Sequence, residues 1–424
     1  MIEEKVFKDP IHKYVYVQDK LIWELINTKE FQRLRRIKQL GTSYFTYHGA
    51  EHSRFPHSLG VYEITRQVIL QFERNSYKGF TKEESFLIMV SALLHDLGHG
   101  PFSHTSERIF EFNHEDWTKK IILGDTEVNN LLRGYDNDLP EKIVSIINKT
   151  YHNSIVVNLI SSQLDADRMD YLLRDAYHTG VNYGTFDLER LLRVLRPFNN
   201  MLVIKESGMH TVEDYLMSRY QMYWQVYFHP VTRSGEILLK KIFLRAKYLY
   251  ESQYQFSFFI EQIIKLFDKN INIGEFLQFD DYLFTTLVNL WTKEKDPILS
   301  DLASRFLNRK LFKYIEFEVN NFEKIKKISD LFNSNGIESD YYLEIDSQSD
   351  LPYDIYHPEG ASKIIPIYLL TPLDKILEIS TQSDIIKSIV GKTRTVNRIF
   401  FPMEVLIERS LIGEFKKILK ENLC

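Results

Sequence analysis

The sequence predicts a mainly α protein, a helical body with a smaller α+β lobe at its carboxy-terminal end. Three observations carry this. Apolar residues recur at helical spacing through most of the first 250 positions. Beyond Arg309 the character changes, and short β-rich runs alternate with helical ones. The 424 residues are 44% apolar and 14% aromatic, which supplies a sizeable core and more than one lobe.

The first twenty residues read as a hairpin, with Lys5-Val6-Phe7 and Tyr14-Val15-Tyr16-Val17 flanking Asp9-Pro10. Residues 21–305 then form the helical body. Helical periodicity covers Leu21–Asn27, Glu30–Leu40, His57–Glu73, Lys82–His95, Ser106–Ile109 and Glu115–Leu123. It continues over Glu127–Arg133, Pro140–Asn148, Ser154–Ile160, Asp165–Tyr177 and Asp187–Leu195. Met201–Lys205 reads as one strand of a pair. Long helices follow at Val212–Tyr227 and Ser234–Tyr250. In the 306–424 lobe, strands are expected at Leu311–Glu318, Tyr341–Ile345 and Ile364–Leu370, with helices at Phe322–Asn333 and Glu414–Lys420. No internal repeat or low-complexity linker marks the boundary.

Composition narrows the function classes. The single cysteine, Cys424, excludes an intramolecular disulfide framework and fits a reducing cytoplasm. No segment has the three parts of a signal peptide. No apolar run approaches the roughly 18 to 20 residues of a membrane span. A net charge of −5 gives no global attraction to nucleic acid. A cytoplasmic protein acting on a small molecule is the expectation.

The chemistry is concentrated in Ser91-Ala92-Leu93-Leu94-His95-Asp96-Leu97-Gly98-His99-Gly100-Pro101-Phe102-Ser103-His104. An adjacent His-Asp pair at the end of an apolar run is costly to bury unless it binds something. Seven of the 13 histidines fall between His48 and His114. Upstream lies Arg54-Phe55-Pro56-His57 and downstream Asp165-Ala166-Asp167-Arg168. Alone, each of these residues is an ordinary cap or core polar group. Together His57, His95, Asp96 and Asp167 give two imidazoles and two carboxylates. That donor set suits one divalent Fe, Mn, Co, Ni or Zn ion per chain and leaves positions for water and substrate. His99 is expected on a loop rim over the metal, because Gly98-His99-Gly100-Pro101 ends the helix. His104 and Glu107, three apart, can orient one another on a new helix. Asp167, Tyr171 and Asp175 repeat every four residues and share a face. Asp170 and Arg174 have the spacing of an ordinary surface ion pair.

The order His…His-Asp…Asp resembles the HD superfamily of metal-dependent phosphohydrolases. Phe31-Gln32-Arg33-Leu34-Arg35-Arg36-Ile37-Lys38-Gln39-Leu40-Gly41, Arg54 to Val61, His95 to His104 and Asp165 to Asp175 resemble its deoxynucleoside triphosphate (dNTP) triphosphohydrolase branch. The resemblance runs from about Lys5 to about Tyr314. It implies an HD-type helical core that splits dNTPs into deoxynucleoside and tripolyphosphate, with Mg accompanying the triphosphate. It implies that His99, His104 and His114 face the phosphates, with His104 the acid and Glu107, where the branch has Asp, in support. It assigns Arg54, Arg168 and Arg219 to phosphate, Gln39, Leu40, Tyr171 and Asp175 to the sugar, and Tyr227 to the base. Arg suits phosphate because its fork binds oxygens in pairs.

The resemblance also implies an activating nucleotide at a subunit interface of a homotetramer, a dimer of dimers. Matching positions are Lys5, Val6, Gln32, Arg35, Asp187, Arg190 and Arg309. Asn27 and Lys8 depart from the branch, which uses Asp and Asn there. Alternatively, Lys29, Arg33, Arg35, Arg36 and Lys38 form a solvated basic face. Two other functions stay open: another HD nucleotidase or phosphodiesterase, and a nucleotide sensor with an idle site.

Overall fold

The computed structural model describes residues 3–258, 261–317, 322–348, 366–389 and 396–420. Cys424, Glu318, Ile364 and Ile365 lie outside the described residues. Within them the chain is mainly α, with 22 α-helices and short strands in three small sheets.

Strands β1 (Lys5–Asp9) and β2 (Lys13–Val17) form the expected antiparallel hairpin. Its turn is closed by Asp9, whose Oδ1 accepts the Ile11 and His12 amides at 2.8 and 2.9 Å. Helices α1 (Lys20–Ile26) and α2 (Lys29–Arg33) follow, capped by the Asp19 and Thr28 side chains. The helix expected over Glu30–Leu40 stops early. Leu34–Arg36 tighten into a 3₁₀ turn and Ile37 becomes extended. The freed backbone groups find other partners: the Asp281 carboxylate takes the Lys38 amide at 2.9 Å, and Ile37 O accepts the Arg54 amide at 2.9 Å.

The body is built on α3 (Arg54–Arg74), α4 (Lys82–Leu94), α5 (His104–Phe110), α6 (His114–Leu123), α7 (Glu127–Tyr135), α8 (Leu139–Ile147), α9 (Ser154–Ile160), α10 (Ala166–Thr179) and α11 (Leu188–Val194). Helix α3 is the central rod. Leu59, Val61, Ile64, Val68 and Phe72 bury almost all its faces against Leu87, Val90 and Leu94 of α4 and Met169 and Leu172 of α10. Strands β3 (Leu195–Phe198) and β4 (Met201–Lys205) pair as expected. Helix α12 (Met209–Met222) does not run unbroken to Tyr227, because Tyr223–Tyr227 widen into a π turn. Such turns often re-aim side chains at functional sites.

Two compact units emerge. The first comprises Met1–Tyr227, Ile271–Tyr282 and Pro352–Lys392. Within it, strand Tyr368–Leu370 runs parallel to β4 and extends its sheet rather than building a separate lobe. The second comprises Phe228–Asn270, Leu283–Leu351 and Thr393–Cys424. Its sheet has Val396–Phe401 between Lys313–Phe317 and Glu344–Gln348, all antiparallel, over Ile328, Phe332, Ile399, Leu406 and Phe415. The strand expected over Tyr341–Ile345 begins at Glu344, because Ser339–Tyr342 make a helical turn. Helices at Glu261–Phe267, Ile273–Phe276, Asp281–Trp291 and Pro297–Leu307 have no counterpart in the sequence reading.

Candidate metal and phosphate site

Three helices bring the expected ligands together in the first unit. His57 lies in the first turns of α3, His95 and Asp96 just beyond the end of α4, and Asp167 in the first turn of α10. His57 Nε2 is 3.0 Å and His95 Nε2 3.6 Å from the same Asp167 oxygen. Asp96 approaches His95 Nε2 at 3.3 Å and His57 Nε2 at 3.7 Å. The other nitrogen of each ring is engaged. His57 Nδ1 meets Asp170 at 2.8 Å, and His95 Nδ1 donates to the Ala92 carbonyl at 2.8 Å. Fixing Nδ1–H in this way turns both Nε2 lone pairs inward. Both Nε2 atoms are buried and face the Asp96 and Asp167 carboxylates.

Electrostatics agree with a cation site. Burial pushes His57 down, but Asp167 and Asp170 outweigh it and raise it to about 10. His95 is likewise raised against burial by Asp96 and Asp167. Burial opposes the ionised Asp167, yet its two imidazole partners hold it well below the usual carboxylate range. A pocket that binds a proton this strongly presents the same negative field to a divalent ion, which would displace that proton. These residues therefore fit a divalent metal, and no ligand geometry needs to be imposed on them.

Two glycines show how closely the helices approach. A Cβ on Gly60 would lie 1.8 Å from Asp170 Oδ1, and one on Gly98 would lie 2.1 Å from the His114 carbonyl. Asp170 and Arg174 are not a surface pair: both are fully buried, joined at 2.8 and 2.9 Å, and Arg174 also reaches Asp9 at 2.8 Å. Gly60→Ala should therefore force α3 and α10 apart. The expected loss is about 1–3 kcal/mol, the usual range for overpacking. Thermal unfolding checks it, and an unchanged midpoint would contradict this packing.

A second cluster adjoins the first. Glu107 on α5 gathers three imidazoles: His104 Nδ1 at 2.9 Å, His114 Nδ1 at 3.1 Å and His99 Nδ1 at 3.4 Å. His99 stacks on His114 with centroids 4.0 Å apart. The expected rim position for His99 is corrected, since its side chain is 1% exposed and its Nε2 sits 3.3 Å from Asp96. Burial, Arg54 and His114 lower it to about 3, so it is neutral. Glu107 is ionised: burial opposes this, but hydrogen bonds from the three imidazoles hold it well below the usual range. His104 remains 58% exposed. Its Nδ1 faces Glu107, which leaves Nε2 as the open ring nitrogen.

The loop before α5 carries this cluster. Phe102 and Ser103 both adopt left-handed φ of 54°, a strained choice for non-glycine residues. Asp281 accepts the Phe102 amide at 2.7 Å as well as that of Lys38, and its buried carboxyl is pushed up to about 7. Ser103 Oγ donates to Lys38 O at 2.7 Å and accepts Arg54 Nε at 2.8 Å. Arg54 is thereby aligned on Asp96 at 2.5 Å.

The remaining expected contacts line α10 and α12. Arg168 pairs with Asp165 at 2.5 Å, and Arg219 donates to Gln163 at 2.8 Å. Tyr227 donates to Asp175 Oδ2 at 2.9 Å, and His52 meets Asp175 Oδ1 at 2.8 Å. The Tyr171 ring lies edge-on to Tyr227 with centroids 6.2 Å apart. Gln39 is buried, its amide bonded to the His52 carbonyl at 3.0 Å and its Oε1 without a partner in the described structure. Leu40, next to it, is half-buried. His12, His52, Asp170, Ser103 and Asp281 were not singled out as functional. The first four sit within or near the quoted phrases, whereas nothing local marks Asp281.

The residues expected to bind a regulatory nucleotide are spread along the chain. Val6 on β1 is exposed, and Lys5 beside it meets Glu3 at 3.6 Å. Arg35 Nε donates to Gln32 Oε1 at 2.8 Å and its guanidinium covers the Phe55 ring at 3.5 Å. Asn27 caps α1, and Asp187 caps α11 by accepting the Arg190 amide at 2.9 Å. Arg309 belongs to the second unit, where it follows Pro297–Leu307 with φ of 55°. The alternative of a solvated basic face fails at Arg33, which is fully buried and donates to the Phe279 carbonyl at 2.9 Å.

This arrangement is that of an HD-domain hydrolase. Residues 54–175 match the HD domain and residues 186–334 the HD associated region, and the chain belongs to this family. It is 52% identical to the uncharacterized protein YwfO of Bacillus subtilis, over 99% of this chain and 97% of that one. A deoxynucleoside triphosphate triphosphohydrolase SAMHD1 homolog of Dictyostelium discoideum is 28% identical over 77% of this chain, and the match spans 63% of that protein. A solved phosphohydrolase of Bacteroides thetaiotaomicron superposes with TM-score 0.83 at 28% identity, covering 94% of this chain and all of that one. No helix among the described residues is long and apolar enough to cross a membrane.

Proposed function

We propose that the protein hydrolyses dNTPs to deoxynucleoside and tripolyphosphate. The observation that carries this reading is the pairing of a divalent-cation site with three imidazoles gathered on Glu107. His57, His95, Asp96 and Asp167 would hold the metal. A divalent ion there supplies Lewis acidity toward a phosphoryl oxygen and a nucleophile near neutral pH. Arg54, Arg168 and Arg219 orient the phosphate chain, which reaches the site with Mg. Glu107 holds the His104 ring through Nδ1, and His104 gives its proton to the departing 5′ oxygen. His99, buried and neutral, borders the phosphates with His114.

The sugar is read by Gln39, Leu40, Tyr171 and Asp175. Asp175, held by His52 and Tyr227, accepts a hydroxyl of the deoxyribose, and the Tyr171 ring fills the space that a 2′-hydroxyl needs. Tyr171→Ala is expected to admit ribonucleotides. The check is the ratio of dNTP to NTP turnover, and a ratio that does not fall removes Tyr171 from this role. The function as a whole is tested with metal-reconstituted protein against all dNTPs and NTPs, singly and in pairs. Turnover of mono- or cyclic nucleotides instead would point to a different HD phosphohydrolase. No metal-dependent turnover at all would point to a sensor.

We further propose activation by a second nucleotide held by Lys5, Val6, Asn27, Gln32, Arg35, Asp187, Arg190 and Arg309 between subunits of a cytoplasmic dimer of dimers. A ligand bound only by the assembled form shifts the oligomer by mass action. Arg35→Ala should weaken activation while metal content stays unchanged. The measurement is turnover of one dNTP as another is titrated. A flat response in both proteins would leave an unregulated enzyme.

A further inference from the structure

The turn of the hairpin is tied to the metal ligands. His12 Nε2 approaches Asp170 Oδ1 at 2.6 Å, and the two side chains are 2% and 0% exposed. The other Asp170 oxygen, Oδ2, holds His57 Nδ1 at 2.8 Å. Asp170 thus stands between a turn residue and a candidate metal ligand. Arg174 closes the group from the far side, gripping both Asp170 oxygens and Asp9. Asp9 in turn fixes the His12 backbone through its Oδ1. Among the described residues, the side chains bonded to Asp170 come from α10, α3 and this turn.

Burying Asp170 as an anion needs all its oxygen lone pairs engaged. Arg174 alone supplies one donor to each oxygen. His57 and His12 supply the remaining donors, one per oxygen. If His12 is removed, Oδ1 loses one of its two donors, and the carboxylate can rotate or shift toward Arg174. His57 then loses the partner that fixes its tautomer and ring angle. Groups that orient a metal-binding histidine commonly change metal affinity by roughly 10- to 100-fold.

We propose that His12 is a positioning residue for the metal site, and that the Asp9–Lys13 turn is the support that keeps His57 aimed. The inference rests on the metal reading of His57 but not on any substrate. By linkage it runs both ways: what loosens the hairpin weakens metal binding, and metal binding tightens the hairpin. The hairpin also carries Lys5 and Val6 on β1, so a ligand seated there would be coupled to the metal through this turn.

The experiment measures affinity for Mn²⁺ by competition with a chelator on the full chain, with no substrate present. His12→Phe is expected to weaken binding roughly 10- to 100-fold. His12→Gln, whose amide can still donate to Asp170, should recover most of that loss. Lys205→Ala, exposed on β4 and outside this turn, should bind as the parent does. Unchanged affinity in folded His12→Phe would overturn the proposal. So would equal losses in the Phe and Gln variants, which would reduce His12 to packing. If His12→Phe does not fold, hydrogen exchange on the parent decides. Amides of the 11–13 turn should exchange more slowly with Mn²⁺ than without it, and equal rates would refute the link. Failure of Mn²⁺ to bind the parent at all would instead overturn the metal reading itself.

Discussion

Replacing His95 by Ala and Asp96 by Asn together is expected to empty the metal site and abolish turnover. The two residues supply one of the two imidazoles and one of the two carboxylates that converge on the site. The remaining His57 and Asp167 are too few donors for tight binding of a transition ion. Lewis acidity and an activated nucleophile contribute several kcal/mol to such a reaction, which at about 1.4 kcal/mol per tenfold is at least about 10³ in rate. Asn at 96 keeps an oxygen for Arg54, so that the buried guanidinium is not stranded. The checks are elemental analysis and turnover, with circular dichroism to establish folding. Unchanged metal in the folded double variant would refute the ligand assignment.

His104→Ala is expected to cost roughly 10²–10⁴ in turnover, the usual contribution of a positioned acid, and to leave the metal in place. His104 is the most exposed of the three clustered imidazoles and makes its hydrogen bond to Glu107 across three residues of one helix. Its removal therefore leaves no cavity and little strain. Glu107→Gln should lose activity in parallel, because the carboxylate that orients the His104 ring is gone. The relevant readouts are kcat and bound metal. Near-normal kcat in His104→Ala would remove His104 as the acid, and lost metal would mean that the two clusters are one site.

Much of the first unit was legible because its signals are local. The helical periodicity over Lys82–His95 and Glu127–Arg133 and the hairpin around Asp9-Pro10 stand in the sequence where the structure uses them. The candidate metal ligands stood out for another reason: His-Asp at the end of an apolar run makes little physical sense without a ligand. What was missed depends on distant partners. Asp170 and Arg174 have ordinary ion-pair spacing, and only the fold buries them beneath Gly60. The helix expected through Ile37 stops because Asp281, more than 240 positions away, takes the Lys38 amide. Asp281–Trp291 went unread although Phe284, Leu287, Val288 and Trp291, all fully buried, keep the i, i+3, i+4, i+7 spacing of a helix face. The Tyr223–Tyr227 π turn has no signal of its own in an aromatic run at helical spacing.

In the proposed reaction, water attacks the first phosphorus and the 5′ oxygen leaves with a proton from His104. Turnover of a dNTP in ¹⁸O-labelled water, with separated products analysed by mass spectrometry, tests it most directly. The expected products are deoxynucleoside without label and tripolyphosphate carrying one ¹⁸O per turnover. Label in the deoxynucleoside, or release of pyrophosphate or orthophosphate in place of tripolyphosphate, would contradict it.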